Sequence, residues 1–138
     1  MTGSYDLPDE AATEALGESL GRALPPGAVL VLSGPLGAGK TTLVRGLARA
    51  VGSTASVASP TYAYVHEYPT PGGPLVHVDA YRLEDPRRLW SMGLAEMLER
   101  ARLTVIEWGE GLVGELDGPL VVRLEAAGGG RRATVTGG

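Results

Sequence analysis

Cysteine is absent from the 138-residue chain, which excludes disulfide partners and thiolate zinc sites. No apolar run approaches the ~20 residues that a membrane span requires, so no membrane partner is expected. Residues 1–10 are polar and acidic, unlike a signal peptide, and the chain reads as cytoplasmic. There is no excess of positive charge: the formal net charge is −4. Autonomous nucleic-acid binding rests on a basic surface, so any work on RNA would go through a basic partner. Lysine is nearly absent as well. Eleven of the 12 basic residues are arginine, and the single lysine is Lys40.

What remains is a globular composition, 43% hydrophobic and 20% charged. The length suffices for one domain over 1–138 and is too short for a nucleotide-binding core plus a separate substrate domain. Ser4 to Leu7 reads as a short edge strand. A helix opens at Pro8-Asp9 and runs to about Leu24, with Leu16, Leu20 and Leu24 on one stripe. Ala28 to Leu32, Leu75 to Asp79 and Leu103 to Glu107 are continuous apolar runs, as expected of parallel strands buried on both faces. Thr41 to Val51 reads as a helix stopped by Gly52. Gly52 to Pro60 reads as a loop and Thr61 to Tyr68 as a strand. Helical pieces are expected over Pro86–Trp90 and Leu94–Arg102, with a break near Gly93. Leu120–Glu125 and Ala133–Thr136 suggest a hairpin across Gly128-Gly129-Gly130. The predicted fold is α/β: a P-loop domain with a mostly parallel sheet, antiparallel edge strands and flanking helices.

The strongest chemical signal is Gly34-Pro35-Leu36-Gly37-Ala38-Gly39-Lys40-Thr41, which fits G-x-x-x-x-G-K-[ST] between a strand and a helix. Glycines let backbone wrap a phosphate, and the N–H groups at the helix start form an anion nest. Lys40 is placed to reach the β- and γ-phosphates of ATP, and the Thr41 hydroxyl is a hard ligand for Mg²⁺. Lysine suits this cradle as a compact point charge where arginine's rigid fork would not. The competing explanation, a glycine-rich turn, leaves the position of the only lysine unexplained. A second requirement is an acid at the end of a neighbouring strand. Asp79 and Glu107 both qualify, and each could instead be a helix N-cap or a solvated loop acid. Ser59-Pro60-Thr61-Tyr62 is either a hydroxyl-bearing loop that senses the γ-phosphate or a plain turn into a strand. His77 shares a strand face with Asp79 and reads as a core histidine; Trp108 either flanks the base or caps the core.

In this order, these pieces resemble the bacterial TsaE (YjeE) family of tRNA threonylcarbamoyladenosine biosynthesis ATPases. The likeness runs from Leu7-Pro8-Asp9-Glu10 through the glycine loop with Thr41-Thr42-Leu43-Val44-Arg45-Gly46-Leu47. It continues through Ser59-Pro60-Thr61-Tyr62, His77-Val78-Asp79-Ala80-Tyr81-Arg82-Leu83, Met92-Gly93-Leu94 and Glu107-Trp108, and ends at Gly130-Arg131. The resemblance implies that Thr41 and Glu107 hold Mg²⁺, that Asp79 acts near the γ-phosphate, and that Thr61 belongs to a switch-like loop. It implies nucleotide contacts from Glu10 and from Arg131 or its neighbour Arg132, with Thr42 inside the loop–helix motif. It also implies ATP hydrolysis in complex with TsaD and TsaB, which handle the tRNA. Three positions depart from the pattern: Pro35 for a frequent acid, Ala80 for a larger apolar residue, and Gly109 for a frequent proline. None is a proposed ligand. Two alternatives share the P-loop: a small-molecule kinase, for which Arg87-Arg88 could serve as a lid, and a regulatory subunit that senses ATP without hydrolysing it.

Overall fold

The computed structural model describes residues 2–35, 37–54 and 64–137. Seven strands, β1 Gly3–Leu7, β2 Ala28–Ser33, β3 Val65–Tyr68, β4 Leu75–Asp79, β5 Leu103–Glu107, β6 Leu120–Ala127 and β7 Gly130–Gly137, form one sheet. Their spatial order is β1-β7-β6-β2-β5-β4-β3. The central four, β6, β2, β5 and β4, run parallel, and antiparallel partners close each side: β7 then β1 on one, β3 on the other. That is the arrangement expected from the apolar runs. The hairpin strands are longer than their apolar cores suggested, and Gly130 lies within β7.

Among the described residues the α-helices are α1 Glu10–Ala23, α2 Lys40–Ala50 and α3 Leu94–Arg100. Asp9 caps α1, its Oδ1 accepting the Ala12 N–H at 2.8 Å. Gly93 ends one helical piece and starts the next at φ 96°, a left-handed conformation that suits glycine. The piece before it, Pro86–Met92, is helical as expected, in 3₁₀ form and two residues longer than the Pro86–Trp90 read from the sequence. A second 3₁₀ segment, Glu110–Glu115, had no signal strong enough to predict.

Each face of the sheet buries one side-chain set, as period 2 requires. Leu30, Leu32, Leu75, Leu103 and Val105 lie in the cluster formed with α1 and α2. Val29, Val31, Val76, Val78 and Ile106 form the other, with Leu89, Leu94 and Leu112. Helices α1 and α2 meet nearly backbone to backbone. A Cβ added to Gly46 would stand 2.1 Å from Glu14 O, and one added to Gly17 would stand 2.3 Å from Leu43 O. Arg49 bridges the same pair to Glu14 and Glu18 at 2.7 and 2.8 Å. Those ions are solvated, so the glycine contact and the leucines account for most of the association. Among the described residues, no helix is long and apolar enough to cross a membrane.

Parallel strands put their carboxyl ends on one edge. Ser33, Asp79 and Glu107 therefore finish together, with the α2 N-terminus above them.

Candidate nucleotide site

The loop after β2 turns on glycines: Gly34, Gly37 and Gly39 have φ of 144°, 78° and 97°. Gly34 has a second constraint, since a Cβ there would lie 2.5 Å from Leu124 O. Ala38 is buried and its N–H returns to Pro35 O at 3.1 Å, closing the loop. α2 then starts at Lys40 with no side-chain cap on its N-terminus, whereas α1 has Asp9. An uncapped helix start is a positive pole with N–H groups available to an anion.

That pole faces a cavity of about 270 Å³, whose lining includes Gly37, Gly39, Lys40, Thr41 and Thr42. Asp79, Tyr81, Glu107, Trp108 and Glu10 complete its wall. The structure thus brings most of the predicted residues around one space. Gly34 and Pro35 do not line it and instead border a separate groove with Trp108. Leu36 and Thr61 fall outside the described residues.

Lys40 is only 6% exposed. Its Nζ lies 3.6 Å from Glu107 Oε1, too long for a hydrogen bond, and 4.4 Å from the centre of the Trp108 ring. Among the described residues it has no hydrogen-bond partner. A buried ammonium held only by a loose ion pair and an aromatic face is under-satisfied and ready to take an anion.

Glu107 ends β5, 3% exposed. Its Oε2 is hydrogen-bonded to His77 Nε2. His77, read from the sequence as a core histidine on the face of Asp79, is fully buried, and its hydrogen bond goes to Glu107 on the next strand. Burial pushes the Glu107 carboxyl up, but the His77 hydrogen bond, the His77 charge and the nearby Lys40 outweigh it and hold the pKa below the usual carboxylate range. A lowered folded-state pKa contributes stability above the unfolded value of 4.5, and that stability is lost as pH falls through the depressed value. The melting-temperature gap between wild type and E107Q should therefore be widest near about pH 6 and narrow toward about pH 3. A constant gap would contradict this.

Asp79 is half-buried at the end of β4, its Oδ1 accepting the Tyr81 N–H at 2.9 Å. It lines the cavity beside Glu107, its register partner on β5. Trp108 adopts φ 60°, the only positive value for a non-glycine residue among those described. Such a conformation costs on the order of 1–3 kcal/mol for a bulky side chain. It is held by Trp108 N–H donating to Leu32 O at 3.1 Å, and Tyr81 packs on the ring at 5.1 Å between centroids. The twist aims the indole at Lys40.

A second pocket adjoins the first, lined by Pro8, Glu10, Thr13, Gly130 and Arg131. Arg131 donates to Gly37 O at 2.8 Å, bridging the hairpin to the glycine loop. Arg132 pairs instead with Asp6 at 3.3 Å. Of the two candidate arginines, Arg131 reaches the loop. The sequence reading gave Tyr81 no task, and its contact with Trp108 depends on two strand ends being adjacent.

A strand, a glycine loop and a helix N-terminus around an unsatisfied buried lysine define a P-loop fold. The comparisons narrow that class. A model of the family described as "Threonylcarbamoyl adenosine biosynthesis protein TsaE" matches residues 7–133. A tRNA threonylcarbamoyladenosine biosynthesis protein TsaE of Mycobacterium tuberculosis is 46% identical over 133 residues, covering 89% of this chain and 79% of that protein. The protein of that name from Streptomyces coelicolor is 43% identical over 137 residues, covering 88% of each. Among solved structures, Bacillus subtilis YdiB superposes with a TM-score of 0.81 at 28% identity, over 99% of this chain and 86% of that one. The chain belongs to the TsaE family, involved in tRNA threonylcarbamoyladenosine biosynthesis.

Proposed function

We propose that this protein binds ATP with Mg²⁺ at the carboxyl edge of its sheet and hydrolyses it in support of tRNA threonylcarbamoyladenosine formation, acting with TsaD and TsaB. The observation that carries the reading is Lys40: a buried ammonium without a hydrogen-bond partner among the described residues, beside an uncapped helix N-terminus. An anion with several oxygens satisfies both at once.

The residues present fit the two groups. Gly37, Gly39 and the start of α2 offer backbone donors, and Lys40 offers its charge to the β- and γ-phosphates. Thr41 and Glu107 supply one hydroxyl and one carboxylate, a donor set suited to Mg²⁺, which takes few protein ligands and shares the phosphates. Held there, Mg²⁺ would supply neutralisation of the phosphate charge during transfer. Asp79 lines the same cavity beside Glu107 on the adjacent strand, and would orient an attacking water. Glu10 lines both cavities and Arg131 the adjoining one, where a nucleoside would extend. Thr61 is the remaining proposed contributor.

Lys40 would exchange its loose contacts with Glu107 and Trp108 for phosphate, which would leave Glu107 Oε1 available to hold Mg²⁺. Glu107→Ala should therefore weaken ATP binding in Mg²⁺ by about tenfold or more while changing binding in EDTA by less than about threefold. Equal loss in both media would remove its metal role.

The role with partners is tested by phosphate release from the purified protein, alone and with TsaB and TsaD from the same source. Slow turnover alone and a clear rise with both partners is the expected result, because P-loop sites often need a partner to stabilise the transition state. A rise only with a small-molecule acceptor would favour a kinase. Binding without turnover under either condition would favour an ATP sensor.

A further inference from the structure

Three buried side-chain nitrogens have no hydrogen-bond partner among the described residues: Lys40 Nζ, His77 Nδ1 and Arg102 Nη1. Arg102 lies at the other end of the sheet, where its Nη2 donates to Leu24 O at 3.2 Å. Lys40 and His77 flank one carboxylate, and the functional reading has so far used only the lysine.

His77 is fully buried in the middle of β4, between Leu75 and Asp79 on its face of the strand. An aliphatic side chain there would pack without the cost of removing an imidazole from water. His77 lies opposite Val105 and Asp79 opposite Glu107, so the imidazole sits one side-chain step inside the sheet from Glu107, on the same face. Its Nε2 meets Glu107 Oε2, while Glu107 Oε1 is the atom 3.6 Å from Lys40 Nζ. An ionised carboxylate can only accept, so the proton of this bond is on Nε2. The two oxygens of Glu107 are thereby separated in use: one is tied to the sheet interior and the other is presented to the cavity. Glutamate has three side-chain torsions. Without the imidazole, the carboxyl would be free to turn or to close on Lys40 directly.

We infer that His77 is a positioning residue that fixes Glu107 with Oε1 toward the cavity, and so sets how strongly Mg²⁺ tightens nucleotide binding. The inference rests on the proposed metal role of Glu107. It needs a hydrogen-bond donor at one place, that of Nε2, and not the charge of an imidazolium. Outer-shell donors of this kind typically change metal affinity by about 10–100-fold when removed.

The test compares wild type, H77Q, H77N, H77L and E107Q by calorimetric titration with ATP in Mg²⁺ and in EDTA, with folding checked by circular dichroism. Glutamine places an amide N–H₂ near the Nε2 position; asparagine places it nearer Nδ1; leucine has none. The expected result is that H77Q keeps most of the tightening by Mg²⁺. H77L and H77N should lose about tenfold of it, with binding in EDTA within about twofold of wild type. Equal loss in both media, or Gln and Asn behaving alike, would overturn the positioning role. If H77L does not fold, the Gln–Asn pair decides alone. E107Q separates the two levels: if it loses the Mg²⁺ effect and H77L and H77N do not, only this inference fails. If E107Q keeps the effect, the metal role of Glu107 fails and this inference with it.

Discussion

Lys40→Ala should reduce ATP affinity by about 100-fold or more, the largest functional effect expected of any single substitution here. The ammonium is the only lysine in the chain, is nearly fully buried, and has no hydrogen-bond partner among the described residues. Charge-assisted hydrogen bonds to two phosphates are together worth about 3–4 kcal/mol, and each 1.4 kcal/mol is tenfold in affinity. The fold should survive. The ion pair lost is long, at 3.6 Å, and Glu107 keeps its bond to His77. Lys40→Arg should fail nearly as badly. Its planar fork would have to enter the space between Glu107 and the Trp108 ring, where a point charge now sits. Titration with ATP, alongside thermal unfolding of each variant, checks both statements. Full affinity in K40A with an intact fold would remove the P-loop assignment. Wild-type affinity in K40R would show that charge alone suffices and that the geometry of the cradle does not select lysine.

The largest stability effect is expected at a position with no chemistry. Gly46→Ala places a Cβ 2.1 Å from Glu14 O, a backbone atom that cannot rotate away. On an exposed helix face the same change would stabilise by about 1 kcal/mol, through helix propensity. Here the helices must part, and forced overpacking costs about 3 kcal/mol or more. For a chain of this size the melting temperature should fall by about 10 °C. Separation of α1 from α2 would also disturb the glycine loop, because Thr13 of α1 packs at Gly39, 3.5 Å from where a Cβ would stand. ATP affinity should therefore fall with stability. Gly114→Ala, where an added Cβ meets nothing, is the control and should change stability by less than about 0.5 kcal/mol. A G46A protein as stable as wild type would mean that the two helices do not cross as described.

The central strands were legible because Leu30, Leu75 and Leu103 stand in continuous apolar runs, and a strand covered on both faces leaves no polar alternation. The glycine loop was legible because close backbone approach restricts residue choice at fixed spacing. Asp79 and Glu107 were found by position, as acids terminating such strands. What sequence could not supply was register. That His77 serves Glu107 and not Asp79 depends on how β4 and β5 slide against each other, and a shift of one residue would put His77 on the other face. The choice between Arg131 and Arg132 had the same origin: alternate residues of β7 face opposite sides, and only pairing with β1 and β6 decides which side holds the loop. The 3₁₀ segment Glu110–Glu115 escaped because one buried leucine, Leu112, gives no period to read.

Calorimetric titration of the wild-type protein with ATP, once in Mg²⁺ and once in EDTA, tests the proposed single site for ATP and Mg²⁺ most directly. The expected result is saturable binding of one nucleotide per chain, tightened by Mg²⁺. Absence of saturable binding at about millimolar ATP (the weak limit of specific recognition), or binding indifferent to Mg²⁺, would contradict it.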